Sequence, residues 1–315
     1  MLKKICYLSV LGFFSFICCI ACSMEKEYLI TNVKIYKDTS VYKLAKAVKM
    51  QRVKKIKKFL NDNPDIIYDE DPIYKCNVLH WAVGMEKYDS VKALLEAGMD
   101  PNVTSSRDNR TPLFIASSYS FIDSEAKADP RFVKLLLDYG ADANIAMYFK
   151  DPQYLHETLS DINCCTPLMN ACESLTTNFE KVKLLVEQGK ADINARDEYG
   201  ETAAIKALLS NDVKVAYYLI VEKKAQIVDP YYPDFFIQQS IINEGRLVEP
   251  SYPVELLREY WIYPLDSEEY RIKMEIIKEF KRQGVDYFAT EIPNWVLDRI
   301  KKKYPDTWEE YINVY

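Results

Sequence analysis

Thr111-Pro-Leu-Phe-Ile-Ala116, followed by Val133-Lys-Leu-Leu-Leu137-Asp-Tyr-Gly140-Ala-Asp142-Ala-Asn144, is the stretch on which the reading of this chain turns. The same order occurs earlier as Asn77-Val-Leu-His80-Trp-Ala82 with Val91-Lys-Ala-Leu-Leu95-Glu-Ala-Gly98-Met-Asp100-Pro-Asn102. It returns as Thr166-Pro-Leu-Met-Asn-Ala171 with Val182-Lys-Leu-Leu-Val186-Glu-Gln-Gly189-Lys-Ala-Asp192-Ile-Asn194. A fourth copy runs from Gly200-Glu-Thr202-Ala-Ala-Ile-Lys-Ala207 to Ala216-Tyr-Tyr-Leu-Ile220, with Lys224 where a glycine is expected. Each residue type has a physical task. Proline suits the first helical turn, where a missing N–H costs nothing. Ala82, Ala116, Ala171 and Ala207 let two short antiparallel helices approach closely, and Gly98, Gly140 and Gly189 are expected to supply a left-handed helix end. A single unit cannot bury its apolar face, so stability must come from stacking.

This grammar resembles the ankyrin repeat family, whose units open on T-P-L-H-x-A, continue with V-K-L-L-L and leave through G-A-D-x-N. The resemblance implies an all-α ankyrin-repeat solenoid of five to six units, over residues 41–290, with degenerate caps and finger loops that bind a protein partner. Leu44-Ala-Lys-Ala47 and Ile56-Lys-Lys-Phe59-Leu60 read as a degenerate first unit, with Asn63 at the glycine position. Its lysines (Lys49, Lys54, Lys55, Lys57 and Lys58) suit a cap with a solvated outer face, or else a contact with anionic lipid. Past Val228, Phe236 to Asn243 reads as a first helix and Met274 to Gln283 as a second, with Gly284-Val-Asp286 as the exit. An insertion is expected at 246–267, carrying Tyr252, Tyr260, Trp261 and Tyr263, and a helical cap over 291–315.

Spacing locates two further insertions. Asn77 to Thr111 spans 34 residues and Thr166 to Thr202 spans 36, whereas Thr111 to Thr166 spans 55. The surplus falls near 120–130, between paired helices, and in a finger at 145–165. Insertions in such arrays often map to the binding face. The finger insertion offers Met147, Tyr148, Phe149, Tyr154, Leu155 and His156, and large aromatics on a protruding loop can anchor a partner. Arg107, Asp108, Arg196, Asp197 and Tyr199 extend the same edge as candidate partner-binding residues, although Asp197 and Tyr199 also fit ordinary turn positions.

The N-terminus carries a different signal. Lys3 and Lys4 precede Ile5 to Ala21, 17 residues without a charge. A spanning helix needs about 20 apolar residues, so the run reads as a secretory signal rather than an anchor. Cys19-Ile20-Ala21-Cys22-Ser23 resembles a bacterial lipoprotein box, although Cys19 stands where that family prefers Leu. The resemblance implies a signal peptide over 1–21, lipidation of Cys22, a tether over 22–40, and residence in the cell envelope, on the periplasmic face or the cell surface.

The 315 residues are 49% apolar and 28% charged, the composition of a folded protein. A net charge of −6 and a pI near 5.3 argue against a nucleic-acid partner. His80 and His156 are not at metal-ligand spacing, and neither a Gly-x-Ser-x-Gly nor a P-loop occurs. His156 beside Cys164 or Cys165 is a bare possibility for a thiolate pair, without an orienting group. Cys76, Cys164, Cys165 and Cys172 read as core thiols or one disulfide, and Asn102-Val-Thr104 as a chance sequon. The expectation is a monomeric, cofactor-free, non-enzymatic binding module tethered by its N-terminal lipid. A periplasmic inhibitor of a toxin or enzyme is one alternative. An enzyme with a site built from the insertions is another.

Overall fold

The computed structural model describes residues 29–148, 164–173, 178–233 and 235–315. The chain divides into two compact units, meeting in sequence at Arg107 and Asp108.

The first unit holds two helix pairs, α1 (Tyr42–Lys49) with α2 (Val53–Asp62) and α3 (Val78–Gly84) with α4 (Tyr88–Glu96). Helix α1 packs on α3, and α2 on α4. Residues 33–36, expected within a tether over 22–40, are folded into the unit. A short 3-10 turn at Val33–Tyr36 buries Val33, Ile35 and Tyr36, because these apolar side chains cover the open side of α1. The Tyr36 hydroxyl donates to the carbonyls of Cys76 and Asn77. Asn63 does not adopt the left-handed form expected of it. Its φ is −142°, as the following Pro64 favours, and its side-chain amide caps the Phe59 carbonyl at 2.9 Å.

The second unit holds α5 (Pro112–Ser117), α6 (Pro130–Asp138), α7 (Pro167–Glu173), α8 (Phe179–Glu187), α9 (Ala203–Leu209) and α10 (Val213–Tyr217). Tyr218–Glu222 continues α10 as a π-turn. There follow α11 (Phe235–Asn243), α12 (Pro253–Glu259), α13 (Glu268–Arg282), α14 (Asn294–Lys303) and α15 (Trp308–Val314). First helices pack in the order α5, α7, α9, α12, and second helices in the order α6, α8, α10, α13. Among the described residues there are helices and two isolated bridges, with no strand.

The repeated residues do what their chemistry requires. Asn77, Thr111, Thr166 and Thr202 each accept a backbone N–H from the first turn of the helix they open. Asp100, Asp142 and Asp192 each accept the N–H of the asparagine two residues on, at 2.8–2.9 Å. The Asn144 side chain then accepts from Asp192 N–H, and Asn194 from Gln226 N–H, so the Asp-x-Asn exits also tie one repeat to the next. Lys181, buried on α8, donates to the carbonyls of Ala116 and Ser118 and so caps the short α5 before the 120–130 insertion.

Two expectations are corrected here. Gly98 and Gly140 are left-handed, but Gly189 is not; the extra residue in Gly189-Lys-Ala-Asp192 passes that role to Lys190, at φ +52°. Gly189 instead permits close packing, since a Cβ there would sit 2.7 Å from the Leu185 carbonyl and 3.0 Å from Ala143 Cβ. Gly189→Ala is therefore expected to cost about 1–3 kcal/mol, as overpacking of a tight site does. Urea unfolding reads this, and an unchanged midpoint would count against the contact.

The second correction concerns the last repeat. Pro253–Glu259, rather than the helix beginning near Phe236, packs on α9 and pairs in sequence with α13. The additional segment is thus 232–250, not 246–267. Trp261 is fully buried, its indole N–H donating to the Leu208 carbonyl at 3.2 Å, so it belongs to the core of the array. Beyond it, α14 and α15 close on Ile262 with Val296, Ile300, Tyr311 and Tyr315.

Candidate functional site

The finger side of the second unit contains two roots of one design. In the first, residues 146–148 lie between two turns. Asn109 donates to the Ala146 carbonyl, Tyr148 N–H to the Asp108 carbonyl at 3.1 Å, and Met147 N–H to the Cys165 carbonyl at 2.8 Å. In the second, Tyr232 N–H donates to the Tyr199 carbonyl at 2.8 Å, and Tyr231 exchanges two backbone bonds with Ser251. An insertion leaves immediately after each root. Tyr148 and Tyr232, at the two points of departure, are both 43% exposed.

The candidate residues divide by burial. Asp108 is buried and accepts the Arg110 guanidinium, so it fixes a turn instead of facing solvent. Met147 is buried beneath its bridge to Cys165. Asp197 is buried too, accepting the N–H groups of Tyr199 and Glu201. Arg196 is half-buried, spanning the Gly200 carbonyl and the Asp229 carboxylate. Tyr199 is half-buried and Tyr148 exposed. Arg107 belongs to the first unit, half-buried with its N–H on Ser105. Cys22, Phe149, Tyr154, Leu155 and His156 lie outside the described residues.

Sequence reading missed the charge centre beneath the second root. Lys206 is buried with its ammonium 3.0 Å from Asp197, 2.8 Å from Glu201 and 3.5 Å from Glu173. Burial opposes its charge, but the three carboxylates outweigh burial and hold it well above the ordinary lysine range. Burial also raises Glu201, with Lys206 pulling the other way. The same reading missed the second root, although Ser251-Tyr252-Pro253 follows its bridge as Cys165-Thr166-Pro167 follows the first.

Cys76, Cys164, Cys165 and Cys172 are thiols rather than disulfide halves, and burial pushes the Cys165 and Cys172 thiols up, away from nucleophilic thiolate. Among the described residues, no three His, Cys, Asp or Glu side chains gather as metal ligands, and no helix is long and apolar enough to cross a membrane.

Comparison with known proteins agrees with the helix-pair architecture. A family model described as ankyrin repeats, in three copies, matches residues 44–147 and 144–230. An ankyrin repeat protein of Fowlpox virus (strain NVSL) is 34% identical over 134 residues, 42% of this chain and 24% of the relative. A second protein of that virus is 30% identical over 116 residues, 35% of this chain and 36% of the relative. One from Acanthamoeba polyphaga mimivirus is 26% identical over 129 residues, 40% of this chain and 18% of the relative. The chain therefore spans about a third or less of the length of these relatives. All three are viral and lend no support to a bacterial lipoprotein. With the family matched over more than half its length, the chain belongs to the ankyrin repeat family.

Proposed function

We propose that the chain is a non-enzymatic protein-binding scaffold whose docking edge is the pair of finger roots in the second unit. The observation that carries this is the recurrence of one root geometry two repeats apart, each time presenting a half-exposed tyrosine where an insertion departs. Aromatic side chains on a rigid support lose little entropy on binding and commonly dominate interface energy. Buried Asp108 and Asp197 supply that rigidity from below, each accepting N–H groups of its own turn. Partner capture with the full chain, followed by affinity measurement, tests the reading. Tyr148→Ala with Tyr232→Ala should weaken binding by about 2 kcal/mol or more at unchanged thermal stability. Undiminished affinity would move the site elsewhere.

The N-terminal reading is a separate proposal, supported by Lys3-Lys4, the uncharged run and Ile20-Ala21-Cys22. It has Cys22 lipidated after removal of 1–21, with several acyl chains holding the array to a cell envelope. Intact mass after expression in a bacterium decides it. A lipid-sized increment on a chain starting at residue 22, lost in Cys22→Ser, is expected, and an unmodified full-length mass would sink the idea.

A further inference from the structure

Between Asp38 and Asp62 the chain carries eight lysines and arginines and not one acidic residue, although the whole chain has a net charge of −6. This is the most lopsided charge in the molecule. Helix α2 shows how it is arranged. Ile56 and Leu60 are buried against α1 and α4, which turns Lys54, Lys55, Lys57 and Lys58 outward, all four exposed. Arg52 is exposed in the turn before α2, and the lysines of α1 at 43, 46 and 49 are exposed as well. Among the described residues, Lys57 alone of the eight forms an ion pair, 2.8 Å to Glu96. Asp89 and Glu96 on α4 mark the edge of the basic surface. At the α1–α2 turn, flanked by Lys49 and Arg52, Met50 stands 59% exposed.

We propose that this face of the first unit docks on an anionic lipid surface, the lysines meeting headgroup phosphates and Met50 entering the headgroup boundary. Three observations favour a bilayer over another polyanion. An apolar tip flanked by cations suits an interface that is charged outside and greasy beneath. The two aromatics of α1 and α2, Tyr42 and Phe59, are both half-buried, and Tyr42 is already covered by the Lys46 ammonium at 4.3 Å, so the face is poor in rings for stacking on bases. Finally, the uncharged run Ile5 to Ala21 lies just upstream in sequence, and residues 22–28 could extend about 25 Å at most. A bilayer holding that run would therefore keep the first unit, to which Ile30 is joined by the Trp81 indole bond to its carbonyl, close to its surface. The charge observation stands whether or not Cys22 is lipidated.

Sedimentation of the full chain with vesicles tests the proposal. The probes are phosphatidylcholine alone and phosphatidylcholine mixed with phosphatidylglycerol. The N-terminal run can bind both, so the readout is the gain on the anionic vesicles over the neutral ones. Each lysine near such a surface is worth about fivefold in partition at physiological salt. The quadruple variant Lys54→Gln, Lys55→Gln, Lys57→Gln, Lys58→Gln should erase most of the gain, as should raised salt. Lys281→Gln with Lys302→Gln, exposed lysines of the other unit, should leave it intact. All variants should melt as the parent does, since these side chains are exposed. Loss of neutral-vesicle binding with the gain preserved would count against the N-terminal proposal only. The docking proposal is overturned if the gain is absent, survives the quadruple change, or is outcompeted by a short DNA duplex that the parent binds more tightly than vesicles.

Discussion

Lys206→Met is expected to lower the unfolding free energy of the second unit by about 3–5 kcal/mol, the range seen when one partner of a buried ion group is removed. The substitution keeps the aliphatic stem and deletes the charge. It leaves Asp197 buried, Glu201 largely buried and Glu173 half-exposed, with no cation between them. The pH dependence gives the mechanism a signature. In the parent, the raised lysine contributes throughout the neutral range, and its contribution fades only as pH rises through its elevated folded value. In the variant, Glu201, already raised by burial, loses the lysine that pulls it down and so binds its proton more tightly folded than unfolded, and acidification relieves it. The deficit should be widest at neutral pH and narrow towards about pH 5. Adding Asp197→Asn and Glu201→Gln should recover part of the loss, because the stranded charges are then gone. Urea titrations across pH measure this; a deficit that does not change with pH would point to packing instead of charge.

Trp261→Ala should cost about 3–5 kcal/mol, as large-to-small changes of a buried indole do. The ring is fully buried, edge-on to Tyr263, and its N–H bonds the Leu208 carbonyl on α9. The contrasting expectation is that replacing residues 238–249 by a short Gly-Ser linker changes stability by less than about 1 kcal/mol, since loop closure depends weakly on length. No side chain from Gln238 to Pro250 is buried, and Leu247 is 87% exposed. Thermal or urea unfolding separates the two registers of the last repeat. A mild Trp261→Ala with a ruinous linker would return the additional segment to 246–267.

Much of the fold was legible because its repeats are local. The Thr-Pro openings, paired leucines and Asp-x-Asn exits each act within a few residues, and the structure uses them as caps, apolar faces and turns. Legibility failed where a residue count shifted. One extra residue at Lys190 moved the left-handed position off Gly189. Replacement of Thr166-Pro167 by Tyr252-Pro253 hid the last first helix, and the apolar Phe236 to Asn243 stretch drew the reading to itself. Helical periodicity shows that a segment is helical; it does not name the neighbour it packs on.

The docking edge shows the same division. Tyr148 is conspicuous in the sequence as an aromatic inside a spacing surplus, whereas Tyr232 lies past Val228, where the repeat pattern weakens, and ahead of the insertion expected at 246–267. Asp108, Met147 and Asp197 looked like surface residues by position, yet each is withdrawn to hold a turn or a bridge. The sequence by itself determined the repeat, its caps and the sites of its spacing defects, since these depend on local backbone chemistry. Only tertiary structure decided which helix completes the last layer, that Lys206 gathers carboxylates from three positions, and that two insertions share one root geometry. Those features depend largely on contacts between residues distant in sequence, such as Trp261 with Leu208, 53 positions apart, and no local pattern encodes them.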